Sequence, residues 1–296
     1  MSASGRGRAS TRPGVAARPG ATPRPGAAAR RDTPAALPDL RGLWRRSLIE
    51  RPDGSRDTTT WVRWLQGDTR FADLRQPIPL RAFGRLSGRA QLSREDCLWL
   101  ARQEGFAGQL SYADGFYEWH RRIDFQPPSK RADAGALQWE GDVLVERGRD
   151  VAYLEHWHRQ EPVATRPVCA LELTRGKEPL QALLLRVGGC FMLAREREEP
   201  TPPRRTLLEC VLRAPRLEDA QQLVDCEVSF GEVLSGGGLQ ILSSTLPWRI
   251  GTVLELRIRE SGVSLPERSP DGRPVWNPWD IAGVEGRLRD FSAPLA

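Results

Sequence analysis

From Leu40 onward, apolar and polar residues alternate in short runs separated by turn-forming residues, a pattern that predicts strands. Leu40 to Ile49 places Trp44 and Leu48 on one face. Arg51-Pro52-Asp53-Gly54 is a turn signal, since proline presets φ and glycine supplies the positive φ. Thr58 to Gln66 follows, with Val62, Trp64 and Gln66 on one face and Trp61, Arg63 and Leu65 on the other. Arg70 to Arg75 ends before Pro77 and Pro79. Five further strands are expected at Phe106–Ser111, Phe116–Phe125, Ala136–Glu140, Val143–Glu146 and Val151–His158. One helix interrupts them, Ser93 to Glu104, with Ser93 as N-cap, Glu95 and Asp96 in the first turn and Gly105 as its stop.

A second strand-rich half follows a linker at Gln160–Pro167. Its expected strands are Val168–Arg175, Leu180–Val187, Cys190–Arg197, Leu207–Leu212, Val224–Val233, Leu239–Leu242, Thr252–Arg259 and Gly286–Phe291, with a short helix at Leu217–Leu223. Many short strands with few helices predict a mostly β chain folded as an antiparallel sandwich or barrel. Gly236-Gly237-Gly238 lacks the Lys-Ser/Thr of a phosphate loop and reads as a turn.

Composition changes the picture at the N-terminus. Residues 1–37 are nearly all Ala, Gly, Pro, Arg, Ser and Thr, a composition that predicts a disordered tail. The tail holds seven of the 44 basic residues and one of the 38 acidic ones, so the remaining 37 and 37 balance and the net charge of +6 belongs to the tail. A neutral body lacks the basic excess of a dedicated nucleic-acid binder. Five cysteines without Cys-x-x-Cys spacing predict free buried thiols in a reducing compartment, hence the cytoplasm. No segment approaches the ~20 apolar residues of a membrane span. Ten tryptophans against three tyrosines suit barrel cores.

Gly42-Leu43-Trp44-Arg45, a Gly-x-Trp on the first strand, resembles the opening motif of lipocalins and other calycins. Gly42 to Arg45, Arg51-Pro-Asp-Gly54, Asp57-Thr-Thr-Thr60, Trp64-Leu-Gln66, Phe71 to Arg75, Gly105 to Gly108, Trp119-His120 and Asp124 to Pro128 follow in that order. Together they resemble the bacterial relatives of the fungal Hri-type casein-kinase-interacting protein. The resemblance is dense over residues 42–160 and implies two antiparallel lipocalin-like (calycin) β-barrels, residues 38–160 and 161–296, with Gly42, Trp44 and Arg45 as a structural motif. It implies no activity, because fold does not supply function.

Four constellations bear on chemistry. Trp64, Gln66, Phe71, Asp73 and Arg75, with Glu118 and His120 from another strand, are candidates to line the first barrel, and Arg75 held by Asp73 suits a carboxylate. His156 and His158 share a strand face and, with His120, form a candidate metal or haem site. No nucleophile elbow or Cys–His pairing is present, and Asp124 and His120 lie ~13 Å apart along a strand; no catalytic residue and no cofactor is expected. Trp276 and Trp279 in a proline-broken loop are candidates for a partner surface.

The expected function is non-catalytic binding of a small, mainly apolar ligand. The alternative is a protein-interaction module with filled barrels, and behind it an enzyme. A cavity of roughly 300 Å³ or more, lined by Trp64, Phe71 and Arg75, separates the first two. An enzyme requires titratable groups converging there with shifted pKa values.

Overall fold

The structure, a computed structural model, describes residues 40–160, 166–176, 180–201, 205–259, 262–291 and 293. The expected basic tail and most of the expected linker lie outside them. The described residues all belong to one compact unit.

The first sheet runs β1 (Gly42–Glu50), β2 (Arg56–Asp57), β3 (Trp61–Gln66), β4 (Arg70–Gln76), β5 (Glu104–Ala113), β6 (Phe116–Asp124), β7 (Ala134–Glu140), β8 (Val143–Gly148) and β9 (Leu154–Arg159). Neighbours pair antiparallel, and β1 pairs with both β3 and β9, so eight strands close into a barrel. Gly42 sits at φ +128°, which favours glycine, and delivers Trp44 into the lumen. There the Trp44 indole stacks on Trp64 at 5.6 Å and donates to the Leu40 carbonyl.

The second sheet has the order β15 (Val253–Leu254), β14 (Leu239–Ser244), β13 (Glu227–Val233), β12 (Cys190–Arg195), β11 (Ala182–Val187), β10 (Val168–Thr174), β18 (Pro274–Glu285), β17 (Gly262–Arg268), β16 (Arg257–Arg259). It curls into a half-barrel whose ladder stays open, with only Glu255 and Leu256 between its two edge strands.

Among the described residues three short helices accompany the sheets: α1 (Arg94–Leu100), α2 (Leu207–Arg213) and α3 (Leu217–Leu223). Ser93 caps α1 in a reciprocal box with Asp96, and the helix ends at Ala101, before the expected Gly105. The expected strand at Leu207–Leu212 is α2, because Thr206 and Glu209 form a second capping box. The expected strand at Gly286–Phe291 is a 3-10 turn, Leu288–Phe291. The proline-broken loop around Trp276 and Trp279 is strand β18, paired with β17. No helix is long and apolar enough to cross a membrane among the described residues, and the five cysteines are free and buried.

Among the described residues, three hydrophobic clusters form the core. One fills the first barrel around Trp44, Trp64, Phe71, Phe106, Leu110 and Trp157. One lines the half-barrel around Leu171, Leu184, Phe191, Leu193 and Trp279. The largest lies between the sheets, where outward residues of the first (Leu65, Leu74, Ala107, Ile123) meet those of the second (Leu183, Leu185, Met192, Phe230) and helix residues such as Leu100 and Val211. Strand β4 is therefore buried on both faces. Polar contacts bridge the same boundary: the Glu285 carboxylate accepts from the backbone N–H groups of Asp68 and Thr69, and Arg70 pairs with Glu172 at 2.7 Å.

Candidate functional site: the mouth of the first barrel

The barrel lumen has an apolar end and a charged end. At the apolar end Leu40, Trp44, Phe71 and Leu110 pack tightly, and Gln66, fully buried, accepts a hydrogen bond from the Trp64 indole at 3.2 Å. Toward the other end of the strands the same inward positions become charged. Inward alternation on β4 places Asp73 and Arg75 above Phe71. On β8 and β9 the inward residues are Leu144, Glu146, Glu155 and Trp157, and Glu146 and Glu155 are direct cross-strand partners. Alternation on β6 points Arg121 inward after Tyr117 and Trp119, and the register shift beyond it sends Ile123 to the outer face.

These side chains enclose a cavity of about 150 Å³ that Trp64, Asp73, Arg75, Arg121, Glu146 and Glu155 help to line. Arg75 donates to Asp73 at 2.9 Å and approaches Glu155 at 3.6 Å. Arg46, 7% exposed, pairs with Glu155 at 2.5 Å. Arg121 pairs with Asp133 at 2.7 Å and with Asp124 at 3.2 Å. The Glu146 oxygens accept from the Tyr153 hydroxyl at 2.5 Å and the Trp157 indole at 3.0 Å.

Burial dominates the protonation of this end. It pushes the Glu146 carboxyl up to about 8, helped by the charges of Glu155 and Asp133 and opposed by the Tyr153 hydrogen bond. Burial likewise raises Asp124 to about 6, against the pull of Arg121. It raises Asp73 too, with Arg75 opposing. Burial works against the Arg75 charge, but Asp73 and Glu155 outweigh it and hold that guanidinium protonated.

An outer groove of about 430 Å³ adjoins the cavity and shares Trp119, Arg121, Asp133 and Tyr153 with it. The groove opens where the β6–β7 ladder pairs only Tyr117 and Glu118 with Gly135 and Ala134. A third space of about 170 Å³ shares Ile49 and Arg75 with the cavity and is bounded by Arg46, Asp57 and Glu104.

The structure sorts the expected residues. Trp64, Asp73 and Arg75 reach the cavity. Phe71 and Gln66 are buried in the filled end instead. Glu118 and His120 share a strand face, as expected, but it is the outer face. His120 bonds Ser111 at 2.7 Å, lies 3.4 Å from Glu118, and both line the groove. Arg45 is exposed, because Trp44 points inward and its neighbour must point out; Arg46 is the inward arginine. His156 and His158 lie on the outer face of β9, with His158 on Ser47 at 2.7 Å, and two strands separate β9 from the β6 of His120. The three imidazoles are therefore not brought together, and among the described residues no group of three or more His, Cys, Asp or Glu is placed to hold a metal. Trp279 is buried in the half-barrel and Trp276 lies under Arg257 at 3.5 Å, so the two do not form a free aromatic surface. Sequence reasoning missed Arg46, Arg121, Glu146, Tyr153 and Glu155.

No protein-family model matches this chain, and a search of curated proteins finds no match. Among solved structures, the chain is similar to the crystal structure of an uncharacterised protein from Saccharomyces cerevisiae, with a TM-score of 0.48 at 11% identity over 82% of this chain and 98% of the yeast one.

Proposed function

We propose that the first barrel is a non-catalytic binding module that seats the polar head of a small ligand in its mouth and the rest of that ligand in the outer groove. The observation that carries this reading is that the two spaces lie side by side and share Trp119, Arg121, Asp133 and Tyr153 as lining. The lumen cavity has about half the volume of a small-ligand site, and its walls are charged, so a mainly apolar ligand gains little there. A polar head group in the lumen with its body in the groove fits both spaces. Membership of the Hri-type family, on the run from Gly42 to Pro128, and a reducing compartment, on the five free thiols, belong to the same proposal.

Native mass spectrometry of the protein purified from its own host, followed by a denatured run, tests the reading. A stoichiometric small molecule released on denaturation is the expected result. A clean apo mass at every charge state overturns it and favours the second reading, an interaction module, which rests on the filled apolar ends of both barrels.

A further inference from the structure

The aromatic residues of the mouth are arranged as walls. Trp119 and Trp157 stand at 71° and 72° to Trp64, with ring centroids 5.8 and 5.3 Å from it, and all three line the cavity. The two cavity arginines, Arg75 and Arg121, lie over Phe106, at 5.0 and 3.4 Å, and not over these three indoles.

The carboxyl groups of the mouth outnumber its arginines. Asp73, Asp133, Glu146 and Glu155 line the cavity against Arg75 and Arg121. Asp73 is held by Arg75, Asp133 by Arg121, and Glu155 by Arg46 and Arg75. Glu146, 3% exposed, makes no ion pair among the described residues; only Tyr153 and Trp157 donate to it. A buried carboxyl with donors but no cation, at a void walled by indole rings, matches the chemistry that recognises organic cations. An acidic ligand would meet the opposite, a cavity whose arginines already hold carboxylates.

We propose that this cavity binds an organic ammonium group, with Glu146 as its counter-ion and Trp64, Trp119 and Trp157 as its walls. The assignment rests on the ligand-binding reading of the same site and names the class of ligand. Burial keeps the Glu146 proton in place up to about pH 8, and an arriving cation favours the carboxylate. At pH 7 each ammonium that binds therefore displaces up to one proton, which passes from Glu146 to the solvent.

The test titrates the full chain at pH 7 with choline, with its uncharged carbon isostere 3,3-dimethylbutan-1-ol, and with acetate, by calorimetry, and follows proton release in weakly buffered solution. Choline is expected to bind at least ~10-fold tighter than the isostere and to release a proton. Glu146→Gln keeps the side-chain shape, with its carbonyl accepting from the Trp157 indole and its amide donating to the Tyr153 oxygen, and is expected to weaken choline at least ~10-fold and abolish the release. Trp119→Leu, at the wall shared with the groove, is expected to weaken choline with the proton release intact. Equal affinity for choline and the isostere, or binding of acetate alone, overturns the ammonium assignment and leaves the binding site standing. Binding of none of the three also overturns it, and the native mass spectrum then decides separately whether the site binds anything. An unchanged choline affinity in Glu146→Gln overturns the role of that residue.

Discussion

The two sheets share a plan, an apolar interior with a charged mouth, and their mouths differ in what they lack. In the half-barrel, a cavity of about 250 Å³ is lined by Arg89, Arg195, Arg249 and Arg268 and by Glu198, Asp225, Glu227 and Glu267, so cations and carboxylates are equal in number. What is missing there is acceptors, because the Arg195 Nε and Arg249 Nη2 groups are buried without a hydrogen-bond partner. In the closed barrel the carboxylates outnumber the arginines and Glu146 has no cation. Removing a carboxylate has opposite consequences in the two places. Buried charges cost stability unless paired, so loss of a paired carboxylate strands a cation, while loss of Glu146, kept protonated by burial, strands none.

The sharpest way to break this comparison is to make the same isosteric change on both sides. Glu227, 1% exposed, accepts from Arg249 Nε at 2.8 Å and from Ser229 at 2.7 Å. Glu227→Gln leaves the Arg249 charge buried without its partner and is expected to destabilise the protein by about 3 kcal/mol in urea unfolding at pH 7. Glu146→Gln is expected to cost little at that pH, because the carboxyl it replaces is already neutral. Equal losses in the two variants would refute the idea that the mouths differ.

A comparable effect is expected between the sheets. Leu185 is fully buried in the shared core, and its side chain crowds Gly67 of the first sheet. Leu185→Ala is expected to cost about 3 kcal/mol. The loss should appear as one shifted transition, whether followed by tryptophan emission, dominated by the first barrel, or by far-ultraviolet circular dichroism. Two separated transitions would show that the barrels unfold independently.

The pH dependence of stability sharpens the first mouth. The Glu146 carboxyl is raised from 4.5 to about 8, so the native state keeps a proton that the unfolded chain releases across that window. Stability is therefore expected to fall as pH rises from about 4.5 to 8, by on the order of a few kcal/mol. The groups facing Glu146 are Glu155 on β9, Asp133 before β7, Arg75 on β4 and the Tyr153 hydroxyl. Asp124, raised to about 6, adds a smaller slope of the same sign below pH 6. Asp57, lowered by hydrogen bonds from Thr59 and Thr60 against a burial cost, has the opposite sign and acts only in acid, where its contribution is lost as pH falls. Glu146→Gln is expected to flatten the curve between pH 6 and 8. A wild-type curve that rises there would contradict the buried protonated carboxyl. The smallest effect is expected at the exposed Arg56–Glu50 pair, where Arg56→Ala should change stability by about 0.5 kcal/mol or less.

Alternation made β3 and β4 legible in the sequence, and with them the convergence of Trp64, Asp73 and Arg75. The same parity, carried one residue further on β1, would have selected Arg46 over Arg45. On β9 the histidines drew the eye to the outer face, while Glu155 and Trp157 on the alternate positions held the chemistry. On β6, likewise, Trp119 and Arg121 alternate with the outward Glu118 and His120, and only the register shift beyond Arg121, which sends Ile123 outward, leaves no mark in the spacing. Helix α2 was legible in Thr206-x-x-Glu209, a signal weaker to the eye than the apolar run that follows it. Strands β17 and β18 were hidden by Pro266, Pro274 and Pro278. Each proline falls where its strand has a ladder partner on one side only, so the missing N–H costs little.

The largest apolar cluster belongs to neither barrel, and this has a consequence for inheritance. A gene fragment encoding one half would present a wall of leucine, isoleucine and phenylalanine to water. Such a fragment has no soluble life of its own through which selection could improve it. The heritable and transplantable piece is thus the couple, and each half constrains the substitutions the other can accept.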